Sequence, residues 1–328
     1  MIFATLEAIV GLGLLVIAGD SLVRGAAALA ETLGVPPLVI GLTVVAFGTS
    51  APELFVAVEA VMEHAPTLAL GNVVGSNIAN ALLVVGIPAL IAPLTCGAPR
   101  LNRNMAIMLG ASVLFIVFAL NGPLVAWHGV VLLATLGAFL LYSARRARKN
   151  PEVAEELLVF EEEIATTRSR PLLAVALVIG GFIGLAFGAD MLVDGSVVIA
   201  RTLGIPEAVI GLTLVALGTS LPELATGIAA ALRCHCDVAL GNVIGSNIFN
   251  LLGIMGVALL VGPVPVPESF LRVDLWVMLG ASIALLPFTL RRGAVRRPGG
   301  AFLVLAYLAY IGWLAFDGAH MAAMAGGH

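Results

Sequence analysis

The stretch GLTVVAFGTSAPEL at residues 41–54 returns, with three apolar exchanges, as GLTLVALGTSLPEL at residues 211–224. Outward from it, at the same shift of 170 residues, GNVVGSNIAN at 71–80 returns as GNVIGSNIFN at 241–250. The register holds without a gap from Asp20/Asp190 to Ser112/Ser282. Self-similarity at one fixed shift over that length marks two copies of one structural unit. Each copy sets the polar run Gly-Thr-Ser-x-Pro-Glu inside an apolar stretch, and that setting decides the fold.

Of 328 residues, 60% are hydrophobic and only 11% charged, and the mean hydropathy is +1.10. Charged residues normally make up about a quarter of a globular chain, so too little polar surface exists to cover a water-facing particle. The apolar stretches run for about 20 residues, the length of a membrane-spanning helix. They lack the every-second-residue alternation of a transmembrane barrel. Dividing them at charged or Pro/Gly-marked breaks gives ten spans, near 3–31, 36–62, 69–93, 104–120, 124–144, 171–200, 206–232, 239–262, 272–290 and 300–317. The expected fold is an all-α polytopic membrane protein of two five-helix repeats, over 1–144 and 171–328, joined by a polar linker over 145–170.

An odd number of spans per copy puts the copies in opposite orientations, the inverted-repeat plan of many secondary transporters. Thirteen of the 16 Lys and Arg residues, including six between 145 and 170, fall on one side of the alternating path. The positive-inside rule makes that side cytoplasmic and both termini extracytoplasmic. The expected location is a cell membrane, crossed many times, of the prokaryotic inner-membrane kind. The opening MIFATLE has neither a basic n-region nor a small-residue cleavage site and reads as the start of the first span. A net charge of −4 gives no reason for a nucleic-acid partner. The lipid bilayer is the expected partner, and no obligatory protein partner is evident. Cys96, Cys234 and Cys236 cannot all pair and imply no disulfide framework.

The chemistry lies in spans two, three, seven and eight. Pro52 and Pro222 each remove a backbone donor, so spans two and seven should break into half-helices and release carbonyls just upstream. Thr49 and Glu53 are four residues apart, as are Thr219 and Glu223, Ser76 and Asn80, and Ser246 and Asn250, a spacing that shares one helical face. A glutamate at the bilayer centre costs about 3 kcal/mol or more unless it meets a counter-charge. None of these four spans contains Lys or Arg, so the missing charge points to a bound ion. Carboxylate, hydroxyl, amide and carbonyl oxygens without sulfur or imidazole suit Ca²⁺, Na⁺ or Mg²⁺; Mg²⁺ holds its waters and fits least.

The paired GTSxPE and GNxxGSNxxN blocks resemble the two alpha-repeats of the calcium/cation antiporter superfamily, in particular its prokaryotic sodium/calcium exchanger branch. The resemblance implies a non-enzymatic antiporter for Ca²⁺ and Na⁺ without a cofactor, in which spans one and six slide against the other eight. It implies Glu53 and Glu223 as central Ca²⁺ ligands shared with Na⁺. Thr49, Ser50, Ser76, Thr219, Ser220 and Ser246 would add hydroxyl or backbone oxygens, and the Ala46 and Ala216 carbonyls would face flanking Na⁺ sites. Asn80 and Asn250 match the polar position on helices three and eight, where some relatives carry Asp at the position of Asn250.

Other readings of the same residues are weaker. Ser50 or Ser220 as a hydrolase nucleophile lacks a base, since all five histidines fall at span ends or in loops. A channel fits broken midplane helices less well than alternating access does. A cation/proton antiporter is the nearest alternative, because a desolvated glutamate can carry H⁺. Asp20 can pair with Arg24 one turn on, a structural role. The run Cys234-His235-Cys236-Asp237 reads as a solvated loop. The amides at 80 and 250 leave two carboxylates in the motif blocks, enough for one Ca²⁺ but not for an added K⁺ in a low-dielectric site. Na⁺-driven Ca²⁺ uptake into liposomes should be the same with K⁺ replaced by choline. Loss of uptake in choline, restored by K⁺, would identify a further acid in the site.

Overall fold

A proline early in a helix costs little, because the first turn's N–H groups have no helical partners in any case. Pro52 and Pro222 occupy that place. The helix Ala51–Met62 begins just after Ser50, whose backbone (φ −94, ψ 8) has left the α region. Ser220 repeats the deviation (φ −81, ψ 4) between Ala216–Thr219 and Leu221–Leu232. The pair Glu207–Thr219 and Leu221–Leu232 is bent by 43° at this break. The computed structural model describes residues 1–32, 50–95, 99–147, 171–232, 236–289 and 294–325. The first half of span two, with Ala46 and Thr49, lies outside the described residues, as do Cys96, Cys234, His235 and linker residues 148–170.

In chain order the helices are α1 (Ile2–Thr32), α2 (Ala51–Met62), α3 (Pro66–Ile91), α4 (Pro99–Leu120), α5 (Ala126–Ala147), α6 (Pro171–Leu203), α7 (Glu207–Thr219) and α8 (Leu221–Leu232). They continue with α9, which runs from Cys236–Phe249 into Met255–Val261, then α10 (Phe270–Thr289) and α11 (Arg297–Ala325). Eight are long and apolar enough to cross a membrane, nine with the bent α7/α8 pair counted as one span, among the described residues. The observed bounds sit close to those read from hydropathy, the largest extension being α11 to Ala325.

The helices sort by burial. The membrane-length windows of α3 and α9 are 78% buried, while those of α1, α5, α6 and α11 are 22–33% buried. The outer faces present Phe3, Leu172, Phe187 and Phe316 to the surroundings, as lipid-facing helices do. At about 1.5 Å per residue, α1 and α6 reach roughly 45–50 Å, more than the hydrocarbon thickness of about 30 Å. Small residues let these two lie backbone to backbone: a Cβ on Gly11 would stand 2.8 Å from the Gly188 carbonyl oxygen, and one on Gly195 2.6 Å from that of Ala4. Ala4 thus meets Gly195 near one end and Leu22 meets Gly181 near the other, so the helices run antiparallel.

Equivalence at the 170-residue shift is visible in the fold. Single π-helical turns interrupt α3 at Asn80–Val84 and α9 at Asn250–Ile254, equivalent positions in the two copies. Strand β1 (Leu94–Thr95), after α3, pairs antiparallel with β2 (Ala294–Val295), before α11. The equivalent bridge joins Leu124, before α5, to Val264, after α9. Backbone groups where helices end need partners, and each copy supplies them to the other.

The core closes where α3 meets α7. A Cβ on Gly75 would lie 2.7 Å from both the Ala216 Cβ and the Leu212 carbonyl oxygen, closer than backbone can yield. Gly75→Val should therefore lower the melting temperature in detergent by several degrees or abolish folding, through overpacking of about 1–3 kcal/mol. Exposed Gly110 has nothing within 4 Å of its would-be Cβ. Gly110→Ala should leave melting unchanged or raise it. Equal melting of Gly75→Val and the parent would refute the close approach.

Candidate functional site

Helices α2, α3, α8 and α9 carry most of the site, and α7 adds its last turn. Glu53 and Glu223 each lie three residues beyond a serine that has left the α region, so both side chains leave from the first turn of a helix. Both are fully buried. Neither Glu53 carboxylate oxygen has a hydrogen-bond partner among the described residues, and neither does Ser50 Oγ or Ser220 Oγ. Leaving such groups unpaired costs about 1–3 kcal/mol each, more for a charge. Buried acceptor oxygens left without partners are chemically able to hold a cation.

Around Glu53 the hydrogen bonds link the two copies. Thr219 Oγ1 donates to Asn72 Oδ1 at 3.2 Å and stands 3.5 Å from Ser76 Oγ, while Asn72 Nδ2 donates to the Glu53 carbonyl at 3.4 Å. Around Glu223, Ser246 Oγ donates to the carboxylate Oε1 at 3.4 Å. The Ala216 carbonyl accepts the Ser220 N–H at 3.2 Å and the Thr219 hydroxyl at 3.5 Å, so it sits in the last turn before the break.

A second set of amides lies where α3 and α9 open into their π turns. Asn80 Nδ2 donates to Asn247 Oδ1 at 3.2 Å, and Asn250 Nδ2 donates to Asn77 Oδ1 at 3.3 Å. These two bonds exchange under the 170-residue shift. Asn247 Nδ2 donates to the Asn77 carbonyl at 3.3 Å. Asn80 Oδ1 and Asn250 Oδ1 remain buried without a hydrogen-bond partner among the described residues.

Ten of the twelve residues singled out from the sequence are therefore placed: Ser50, Glu53, Ser76, Asn80, Ala216, Thr219, Ser220, Glu223, Ser246 and Asn250, all buried. Thr49 and Ala46 lie outside the described residues. Asn72, Asn77 and Asn247 were legible only as amides near the motifs, and the structure gives each a specific bond. Their recurrence at 72/242 and 77/247 was the available signal. Asp20 pairs with Arg24 at 2.9 Å on an exposed stretch of α1, as its spacing suggested. Apart from Glu53 and Glu223, the buried acid among the described residues is Asp274, which accepts the Tyr310 hydroxyl at 2.8 Å on α10, off the motif helices.

Residues 3–145 and 173–316 match the family model described as sodium/calcium exchanger protein. The chain is 36% identical to the putative antiporter CaxA of Alkalimonas amylolytica, over 94% of this chain and 98% of that one. It is also 36% identical to the sodium/calcium exchanger MaX1 of Methanosarcina acetivorans, over 92% and 96% of the two chains. Among solved structures it resembles the sodium-calcium exchanger NCX_Mj, with a TM-score of 0.64 and 34% identity over 95% of this chain and 98% of that one. Matched across both halves and by full-length relatives, this multi-pass membrane chain belongs to the sodium/calcium exchanger protein family.

Proposed function

We propose that the chain is a secondary antiporter that exchanges Ca²⁺ for Na⁺ by alternating access, at a midplane site formed by the two GTSxPE and two GNxxGSNxxN blocks. In this reading ten spans form two inverted five-helix repeats, 1–144 and 171–328, joined by the cytoplasmic linker 145–170, with both termini outside the cell membrane. Glu53 and Glu223 bind Ca²⁺ and compete for it with Na⁺. Thr49, Ser50, Ser76, Asn80, Thr219, Ser220, Ser246 and Asn250 add neutral oxygens, and the carbonyls of Ala46 and Ala216 serve the flanking Na⁺ positions.

One observation carries the reading: Glu53 and Glu223 are fully buried, the Glu53 carboxylate oxygens have no hydrogen-bond partner among the described residues, and the four spans that carry the motifs contain no Lys or Arg. A cation is the economical counter-charge. Ca²⁺ takes about 6–8 oxygens in flexible geometry, which two glutamates and four or more neutral oxygens supply. The antiparallel α1/α6 pair, packed through small residues, is a unit able to move against the rest and expose the site to either side.

Ca²⁺ uptake into liposomes of purified protein tests the coupling. An outward Na⁺ gradient should drive it; uptake driven by a pH gradient and indifferent to Na⁺ would install the Ca²⁺/H⁺ alternative. Glu53→Gln and Glu223→Gln should each weaken Ca²⁺ binding at least about a hundredfold, roughly 2.8 kcal/mol, and stop transport while the protein stays folded. Parental exchange in either variant would remove that glutamate from the site. In detergent, raising Na⁺ should lower apparent Ca²⁺ affinity, and Ca²⁺ should lower Na⁺ affinity by the same factor. Ca²⁺ affinity independent of Na⁺ would mean separate sites.

A further inference from the structure

We propose that Asn77 and Asn247 are positioning residues that fix which end of the Asn80 and Asn250 amides is offered to the ion; the inference rests on the cation-site reading above. An asparagine presents either an acceptor oxygen or a donor NH₂, and only the first ligates a cation. Nothing in the local chain decides between them, since the two orientations have nearly the same shape.

The surroundings decide it, starting from groups that can only accept. The Asn77 backbone carbonyl is an acceptor, so the Asn247 group 3.3 Å from it must be Nδ2. That turns Asn247 Oδ1 toward Asn80, and the Asn80 group at 3.2 Å must then be the donor Nδ2. Asn80 Oδ1 is what remains, buried and unpartnered among the described residues. The equivalent chain starts from the Met278 thioether, also acceptor only. Asn77 Nδ2 faces that sulfur at 3.7 Å, Asn77 Oδ1 accepts Asn250 Nδ2 at 3.3 Å, and Asn250 Oδ1 is left over.

Each relay crosses between copies, so α3 orients the amide of α9 and α9 that of α3. The π turns begin at Asn80 and Asn250 themselves. An extra residue per turn re-aims side chains at that point, a recurring device at functional sites. The relay also sets a preference at position 250. An ionised acid there would bring a second acceptor against Asn77 Oδ1, so it would require protonation or reversal of the Asn77 amide against Met278.

Binding cycles on the full chain in detergent test the relay, with Ca²⁺ alone as the probe. Asn80→Ala and Asn250→Ala should each weaken Ca²⁺ binding about tenfold. Asn77→Ala and Asn247→Ala should weaken it by a similar factor although neither supplies an oxygen to the ion. The doubles Asn77→Ala/Asn250→Ala and Asn247→Ala/Asn80→Ala should bind no more weakly than Asn250→Ala and Asn80→Ala alone, because each positioning residue acts only through its partner. General loosening of the fold would instead multiply the two effects. Met278→Leu, which conserves volume and removes only the thioether acceptor, should weaken binding about two- to threefold. Multiplicative doubles, or parental affinity in both Asn77→Ala and Asn247→Ala, would overturn the relay while leaving the cation site standing. Parental affinity in Asn80→Ala and Asn250→Ala would overturn that part of the site itself. If Asn77→Ala fails to fold, the Asn247 cycle and Met278→Leu decide: additivity in the first with parental affinity in the second is the refuting result.

Discussion

Burial of two carboxylates in a membrane, with no basic residue on the spans that surround them, is the constraint to which the rest of the molecule answers. In a low-dielectric interior an isolated charge is far more costly than any hydrogen bond can recover, and removing one member of a charged set strands the other. The folded state carries Glu53 and Glu223 among oriented polar groups, an arrangement that a cation would complete. Both acids lie at the start of a helix, where the local N–H groups also favour negative charge. In span seven one proline thus has two functions: it interrupts the helix and it seats the acid.

Duplication then does what one copy could not. The contacts that organise the site join the copies more often than they stay within one: Thr219 to Asn72, Ser76 beside Thr219, Asn80 to Asn247, Asn250 to Asn77. Each copy's acid is held in surroundings supplied partly by the other, and the paired strands repeat the exchange at the helix ends. Helices α1 and α6, with 33% and 28% of their membrane-length windows buried, pack on each other through small residues in close backbone contact.

Much of this was legible before any coordinates. Hydropathy located most of the described helices to within a few residues, because lipid imposes the same length and the same polarity breaks on every span. Pro222 foretold the bend in span seven. The π turns at Asn80 and Asn250 left no mark, since one extra residue in a turn changes no hydrophobic pattern. The amide relay was hidden for another reason: its bonds link residues 167 to 173 positions apart, and a list of amides does not say which one donates. The role of Asn72 was concealed in the same way, its partners Glu53 and Thr219 lying in different copies.

Charge arithmetic ties the amides to the competition between ions. With Asn at both 80 and 250, the site carries two negative charges, neutralised by one Ca²⁺ or by two Na⁺. On the proposed reading the two ions would draw on the same carboxylates, and neither would bind fully while the other stays. In a dry site the net charge weighs more than any single contact, so this balance would make exchange, rather than joint binding, the low-energy behaviour. The neutral oxygens of Asn80 and Asn250 would ligate without altering that balance, which would hold only while each amide keeps its oxygen toward the ion and its NH₂ toward the opposite copy.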